Sequence, residues 1–103
     1  MKNKHKSIWV FGDYRNYYQN RVTLQLISKA MDLAKSVNAE VCALIFGYEI
    51  EEWIMEYTAH GADRILAIDE PALKSYSTER YLAIMEALVK ERDPEIILIG
   101  ATD

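Results

Sequence analysis

Residues 96–100, with the sequence Ile-Ile-Leu-Ile-Gly, decide how the rest of this 103-residue chain is interpreted. An unbroken apolar run that stops at a glycine is typical of a strand covered on both faces within a parallel sheet. Such a strand needs a neighbour on either side and a helix after it, but the sequence ends soon afterwards, at Asp103. We therefore expect residues 1–103 to form a single, incomplete α/β domain.

Three similar apolar runs precede this one, and each stops at residues that favour turns. They are Ile8-Trp9-Val10-Phe11 before Gly12, Val41 to Phe46 before Gly47, and Ile65 to Ile68 before Asp69-Glu70-Pro71. All four runs are short and lack an alternating polar face. These properties favour buried strands over helices.

Three helical patterns separate the four predicted strands. Apolar residues recur at helical spacing over residues 22–37, over residues 50–60, and between Ser77 and the Asp93-Pro94 pair. Strands that alternate with helices imply a parallel sheet of at least four strands with helices on both faces. The sequence thus predicts a three-layer α/β fold in βαβαβαβ order, Rossmann-like or adenine nucleotide alpha hydrolase-like, with sheet order 3-2-1-4.

The helix ends are marked by capping residues. Asn20 is the predicted N-cap of the first helix, with Thr23 as the alternative, which leaves the polar, tyrosine-rich residues 12–21 as a loop. Ser77 is the predicted N-cap of the third helix. Gly61 is expected to end the second helix, since glycine is the residue most often found just past a helix C-terminus.

The composition excludes several classes of protein. A net charge of −4 and a pI near 5.2 argue against a nucleic-acid-binding protein, and the basic cluster Lys2, Lys4, His5 and Lys6 is interpreted as a solvated tail. The single cysteine, Cys42, forms no internal disulfide and favours a reducing compartment. Neither a signal peptide nor an apolar stretch of ~20 residues is present, so we expect a cytoplasmic chain without membrane insertion.

A ligand crevice is predicted where the strand order reverses, between the first and fourth strands, because open α/β sheets bind ligands beyond the carboxyl ends of their strands. The residues that would line it are Gly12, Asp13, Gly100, Ala101 and Thr102. Asp13 would accept a hydrogen bond from a ribose or a base. The alternative interpretation is that the two glycines only end their strands.

Motifs for catalysis and metal binding are absent from the sequence. The first loop contains neither G-x-G-x-x-G nor a Walker A lysine, and no G-x-S-x-G is present. One cysteine and two distant histidines do not form a metal-binding cluster. The sequence therefore predicts no catalytic residue and no metal ligand.

The first loop also contains residue types that are enriched at protein interfaces. These are Tyr14, Tyr17 and Tyr18, together with Arg15 and Arg21. They are predicted to form a contact surface for a partner. The alternative is that one or two of the tyrosines fold over the edge of the sheet.

Several segments, taken in order, resemble the N-terminal part of an electron transfer flavoprotein alpha subunit. They are IWVF at 8–11, TLQLISKA at 23–30, EVCALIFG at 40–47, HGADRIL at 60–66 and PEIILIGAT at 94–102. The resemblance covers the chain from Ile8 onward. It departs from the family at His60, where tyrosine is common, and at Asp13, where glutamate is common.

This resemblance implies a component of an electron carrier rather than an enzyme. Family members pair an alpha with a beta subunit, hold FAD in a separate C-terminal domain, and transfer electrons between acyl-CoA or other dehydrogenases and an acceptor. The N-terminal domain is mainly structural and packs against the beta subunit. The resemblance thus implies that FAD is bound outside this segment, and we expect no cofactor in this chain alone.

Two alternatives remain beside this interpretation. One is a stand-alone adenine-nucleotide-binding module, similar to a stress protein, that uses the crevice at Gly12, Asp13 and Gly100. The other is an interaction domain that binds no small ligand. Under any of the three, a fourth strand at the sheet edge favours self-association, because apolar edges pair with other chains.

Overall fold

The computed structural model describes residues 6–100, which form a parallel sheet with helices on both faces. In chain order the elements are β1 (Ser7–Phe11), α1 (Tyr17–Val37), β2 (Glu40–Gly47), α2 (Glu51–His60), β3 (Arg64–Asp69), a 3-10 turn (Pro71–Leu73), α3 (Thr78–Arg92) and β4 (Ile96–Leu98). The strands lie in the order β3-β2-β1-β4, and every neighbouring pair is parallel. The predicted fold class and strand order are confirmed.

The central strands β1 and β2 divide the core into two clusters, because successive side chains of a strand point to opposite faces. Ile8 and Val10 pack with Ile27 of α1 and Tyr57 of α2. Trp9 packs on the opposite face, in the cluster that the inner side of α3 covers. Burying each such side chain contributes roughly 1.5–3 kcal/mol, so both helical layers are needed to stabilise the sheet.

Helix α1 begins at Tyr17, five residues before the predicted start at residue 22. Its N-cap is Asn16, whose side-chain oxygen accepts a hydrogen bond from the Gln19 N–H at 2.9 Å. The prediction of Asn20 or Thr23 as the cap is wrong. Tyr17 is 78% exposed, so the first turn contributes no apolar residue to the periodic pattern from which the helix was predicted.

The two residues predicted as caps instead attach α1 to its neighbours. The Tyr57 hydroxyl donates to Asn20 Oδ1 at 2.6 Å, and Asn20 Nδ2 donates to Glu56 Oε1 at 3.1 Å, which joins α1 to α2. The buried Thr23 hydroxyl accepts a hydrogen bond from the Asp13 N–H at 3.0 Å. Thr23 thereby holds the loop after β1 against α1.

The other helix ends follow the predicted capping. Gly61 closes α2 with a φ of 130°, a conformation that side chains rarely adopt. The Ser77 hydroxyl accepts a hydrogen bond from the Arg80 N–H at 3.3 Å and so caps α3. Asp93 ends α3 in the left-handed region, at a φ of 53°.

Strand β4 lies at the edge of the sheet and is only partly covered. Within residues 6–100 it pairs with β1 alone, and Ile96 and Ile99 are 39% and 61% exposed. The expectation that this apolar run is covered on both faces is therefore wrong for the described residues. A second neighbouring strand would be needed to cover its outer edge. The residues of β4 do not themselves indicate whether such a strand is present.

Asp69 connects the end of β3 to the start of α2. Its two carboxylate oxygens accept hydrogen bonds from the Glu49 N–H at 2.7 Å and from the Ile50 N–H at 3.2 Å. Glu49 lies in the left-handed region, with a φ of 56°, so this turn needs an external acceptor to hold it. The turn predicted at Asp69-Glu70-Pro71 begins one residue later, because Asp69 is the last residue of β3 and Pro71 begins the 3-10 turn. Asp69 also fixes the entry to α2.

Removing the Asp69 carboxylate tests this connection. We expect Asp69→Ala to lower the free energy of unfolding by about 1–2 kcal/mol, because two backbone N–H groups lose a charged acceptor at a partly solvated site. Urea denaturation measures the change. Glu70→Ala is the matched control, since its side chain forms no hydrogen bond among the described residues. Equal destabilisation by the two variants would contradict the assigned role.

The exposed edge generates a second prediction. We expect the chain to self-associate at high concentration through β4, because an apolar edge strand is a template for pairing with another chain. Ile99→Lys should reduce the mass measured by light scattering, since a charge at the edge opposes such pairing. Met55→Lys, at a 72% exposed position on α2, should leave the mass unchanged. A wild-type chain that stays monomeric at high concentration would rule out this association.

Candidate functional site

A cavity of about 390 Å³ lies at the carboxyl end of β1. The loop after β1 lines one part of it, and α2, the 3-10 turn and the start of α3 line the rest. The residues that matter for its chemistry are Gly12, Asp13, Arg15, Trp53, Lys74 and Tyr76. These elements meet there because parallel strands place all their carboxyl-terminal loops at one edge of the sheet.

Three backbone N–H groups of the loop after β1 bond within the chain. The Gly12 N–H donates to the Leu44 carbonyl at 2.7 Å, and the Asp13 N–H donates to the Thr23 hydroxyl at 3.0 Å. The Arg15 N–H donates to Asp13 Oδ1 at 3.2 Å. These three N–H groups are therefore already used in holding the loop's own conformation.

Asp13 and Arg15 form a two-bonded ion pair beside the cavity. Arg15 donates through Nε to Oδ1 at 2.9 Å and through Nη2 to Oδ2 at 2.7 Å. Burial alone would raise the pKa of Asp13, but the hydrogen bonds and charge of Arg15 outweigh it and leave that pKa below its ordinary value. The guanidinium carbon also lies 4.3 Å from the centre of the Tyr76 ring, in a cation–π arrangement.

The predicted crevice residues do not all line the cavity. Gly12 and Asp13 line the cavity, whereas Gly100 lies at the end of β4 against α1 and lines no part of it. A Cβ at Gly12 would approach the Leu44 carbonyl oxygen to 2.8 Å, and one at Gly100 would approach the Val22 side chain to 2.9 Å. Both glycines thus permit close packing within the chain, so their role is not limited to ending a strand.

The remaining two residues of that crevice, Ala101 and Thr102, lie outside the described residues. The crevice between the first and fourth strands therefore stays a prediction. Both carboxylate oxygens of Asp13 accept hydrogen bonds from Arg15, and the expectation that Asp13 accepts one from a ligand stays a prediction.

Two tyrosine hydroxyls converge on one backbone carbonyl at the end of β2. Tyr14 and Tyr81 donate to the Phe46 oxygen at 3.1 and 2.9 Å. Burial raises the pKa of Tyr14 to about 12, and burial also raises the pKa of Tyr81. Both hydroxyls therefore stay protonated at neutral pH and act as donors that fix the cavity wall.

The loop tyrosines do not form one surface. Tyr14 is half-buried and stacks on Trp53 with ring centres 5.3 Å apart, so the alternative of a tyrosine folding over the sheet holds for this residue. Tyr17 and Tyr18 are exposed, and the Arg21 guanidinium lies 5.8 Å from the Tyr17 ring centre. A contact surface of the predicted residue types is therefore limited to the first turns of α1.

Other reactive residue types are in structural positions. Cys42 is buried, and burial raises the pKa of its thiol to about 11, which keeps the thiol protonated and unreactive. His60 Nε2 lies 3.4 Å from the Ser28 hydroxyl oxygen at the end of α2. Within residues 6–100, acidic, histidine and cysteine side chains do not gather in groups of three that would hold a metal ion.

The lining residues Trp53, Lys74 and Tyr76 were missed by reasoning from the sequence. The sequence does contain a signal for Lys74 and Tyr76. Asp69-Glu70-Pro71 marks the end of a strand, so the residues after it must lie at the same sheet edge as Gly12. Trp53 lies within the helical pattern over residues 50–60, which does not mark it as a lining residue. Among residues 6–100, none of the helices combines the length and the apolar character that crossing a membrane requires.

Comparisons with known proteins agree with one another. The family model described as the electron transfer flavoprotein domain matches residues 8–103. The chain is 37% identical over 101 residues to electron transfer flavoprotein subunit alpha of Clostridium acetobutylicum, an alignment that covers 98% of the chain and 30% of the relative. It is 36% identical over 101 residues to acryloyl-CoA reductase electron transfer subunit beta of Anaerotignum propionicum, covering 98% and 28%.

A further relative is the lactate dehydrogenase (NAD(+),ferredoxin) subunit LctC of Acetobacterium woodii, at 33% identity over 102 residues, covering 99% of the chain and 24% of the relative. The chain thus spans 24–30% of the length of these three relatives. The family model nevertheless matches nearly the whole chain, in agreement with the resemblance of its strand and helix segments. This chain belongs to the electron transfer flavoprotein family.

Proposed function

We propose that this chain is the N-terminal domain of an electron transfer flavoprotein alpha subunit, with a structural role and a surface that docks the beta subunit. The family match over residues 8–103 carries this proposal, together with the 37% identity to an alpha subunit of which the chain covers 30%. A stand-alone adenine-nucleotide module is not favoured, because the relatives are named as electron-transfer or dehydrogenase subunits.

FAD, the cofactor that the family implies, does not fit the loop after β1. A dinucleotide pyrophosphate is usually held by unpaired backbone N–H groups at a glycine-rich turn and a helix N-terminus. Here the N–H groups of Gly12, Asp13 and Arg15 already have acceptors within the chain. We therefore assign FAD to a part of the protein outside these residues.

The surface at the start of α1 suits a protein partner. Tyr17 and Tyr18 are 78% and 68% exposed, and Arg21 lies beside the Tyr17 ring. Tyrosine and arginine supply a large share of binding energy at interfaces, because each combines a broad contact area with hydrogen-bonding capacity. We assign the docking of the beta subunit to this surface.

The proposed role is that of an electron-carrier component rather than a catalyst. Two relatives are named as subunits of an acryloyl-CoA reductase and of a lactate dehydrogenase. A dehydrogenase acting on an acyl-CoA or a small acid is accordingly the class of redox partner that we expect. The described residues would contribute to that exchange by holding the complex together.

Flavin content tests the proposal. We expect residues 1–103 to purify without visible flavin absorbance, because their loop after β1 offers no cradle for a pyrophosphate. The full natural chain co-expressed with its beta subunit should purify as a yellow heterodimer. A colourless heterodimer, or a yellow preparation of residues 1–103 alone, would contradict the assignment of FAD.

The docking surface is tested in the same co-expression. The double variant Tyr17→Ala, Tyr18→Ala should weaken binding of the beta subunit by roughly tenfold or more, since truncating an interface hot spot costs over ~1.4 kcal/mol. Tyr48→Ala, at a tyrosine that is 38% exposed near the end of β2, is the matched control and should bind normally. Equal affinities for all three proteins would place the interface elsewhere.

A further inference from the structure

We propose that the cavity at the carboxyl end of β1 binds a small molecule made of a flat ring with one anionic group, either a phosphate or a carboxylate, between Arg15 and Lys74. This inference goes beyond the docking role, and it stands or falls independently of that role. It depends on the size of the cavity, on the character of its walls and on the balance of charge around it.

The cavity has the size and lining of a small-molecule site. Its volume of about 390 Å³ lies within the range of roughly 300–1,000 Å³ that is typical of ligand pockets. Aromatic side chains line it, Trp53 from α2 and Tyr76 from the segment before α3 among them. Such walls favour a flat, partly apolar ligand, because aromatic surfaces stack on one another at little conformational cost.

Contacts within the chain hold the walls, which favours a cavity that does not depend on a ligand for its shape. Tyr14 stacks on Trp53 and is fixed by its hydrogen bond to the Phe46 carbonyl. Tyr76 packs edge-to-face on Tyr81 with ring centres 4.7 Å apart, and Tyr81 bonds to the same carbonyl. A pre-formed cavity lowers the ordering cost of binding.

The charge around the cavity favours an anion. Its charged lining residues are Arg15, Lys74 and Asp13, which leaves an excess of one positive charge in a chain whose net charge is −4. Arg15 uses Nε and Nη2 on Asp13, and its Nη1 donates to no acceptor among residues 6–100. Lys74 forms no ion pair within that part of the chain. Both cationic residues thus line the cavity, and Arg15 keeps Nη1 for a further acceptor although it is paired with Asp13.

The backbone limits the size of the anion. The N–H groups of Gly12, Asp13 and Arg15 are bonded within the chain, so they do not extend the anion site beyond the two cationic side chains. A pyrophosphate spreads its charge over two groups and usually relies on such N–H donors. A single phosphate or carboxylate is matched better by one guanidinium and one ammonium group.

Calorimetric titration of the purified protein tests the ligand class. Adenosine monophosphate probes a ring with a phosphate, and nicotinate probes a ring with a carboxylate. Adenosine and inorganic phosphate are the halves of the first probe, and pyridine and acetate are the halves of the second. We expect one of the first two to bind at least tenfold more tightly than either half, and the tighter one identifies the anionic group. Undetectable binding of both, or binding of adenosine as tight as that of adenosine monophosphate, would overturn the proposal.

Substitution of one lysine locates the site. Lys74→Gln should weaken binding of the tighter probe roughly tenfold, because a charge-assisted hydrogen bond is lost at an exposed position where folding is little affected. Lys29→Gln makes the same charge change at an exposed position on α1 and should bind like the wild type. Trp53 fluorescence should change on binding in both the wild type and Lys29→Gln. Equal affinities of the two variants would refute the assigned site.

Discussion

The burial of β1 and β2 on both faces is the constraint on which the rest of this structure depends. Their alternate side chains supply two separate core clusters, so the sheet is stable only with α1 and α2 on one face and α3 on the other. The Phe46 carbonyl joins the two layers. It accepts hydrogen bonds from Tyr14, which packs on the first cluster, and from Tyr81, which packs on the second.

The same arrangement explains where the cavity lies. Parallel strands bring the loop after β1, the start of α2 and the segment after β3 to one edge, and short polar contacts fix the first two of them there. Asp69 fixes the start of α2, Thr23 fixes the loop after β1, and Asp13 orients Arg15. The carboxylates at this edge form hydrogen bonds within the fold. The cationic groups beside them remain able to bind a ligand.

The sequence alone predicted the strands, because apolar runs and helical periodicity follow directly from burial on a sheet, and the strand order was predicted from the usual order of doubly wound sheets. It misplaced the start of α1, since Tyr17 faces solvent and adds nothing to the periodic pattern. The sequence-based prediction also overestimated the burial of β4, because the residues of a strand do not by themselves show which strands lie beside it. Lys74 and Tyr76 were missed because they are far from Asp13 in the chain, although the end of β3 marks their position.

Family membership and fold together describe a domain with a rigid centre and a less protected edge. Native-state hydrogen exchange tests this account most directly. The amides of Val10 and Cys42, in the buried strands, should exchange only through global unfolding, whereas the Ile97 amide in β4 should exchange through local opening of lower free energy. Protection of Ile97 equal to that of Val10 would contradict the claim that the two central strands hold the structure together.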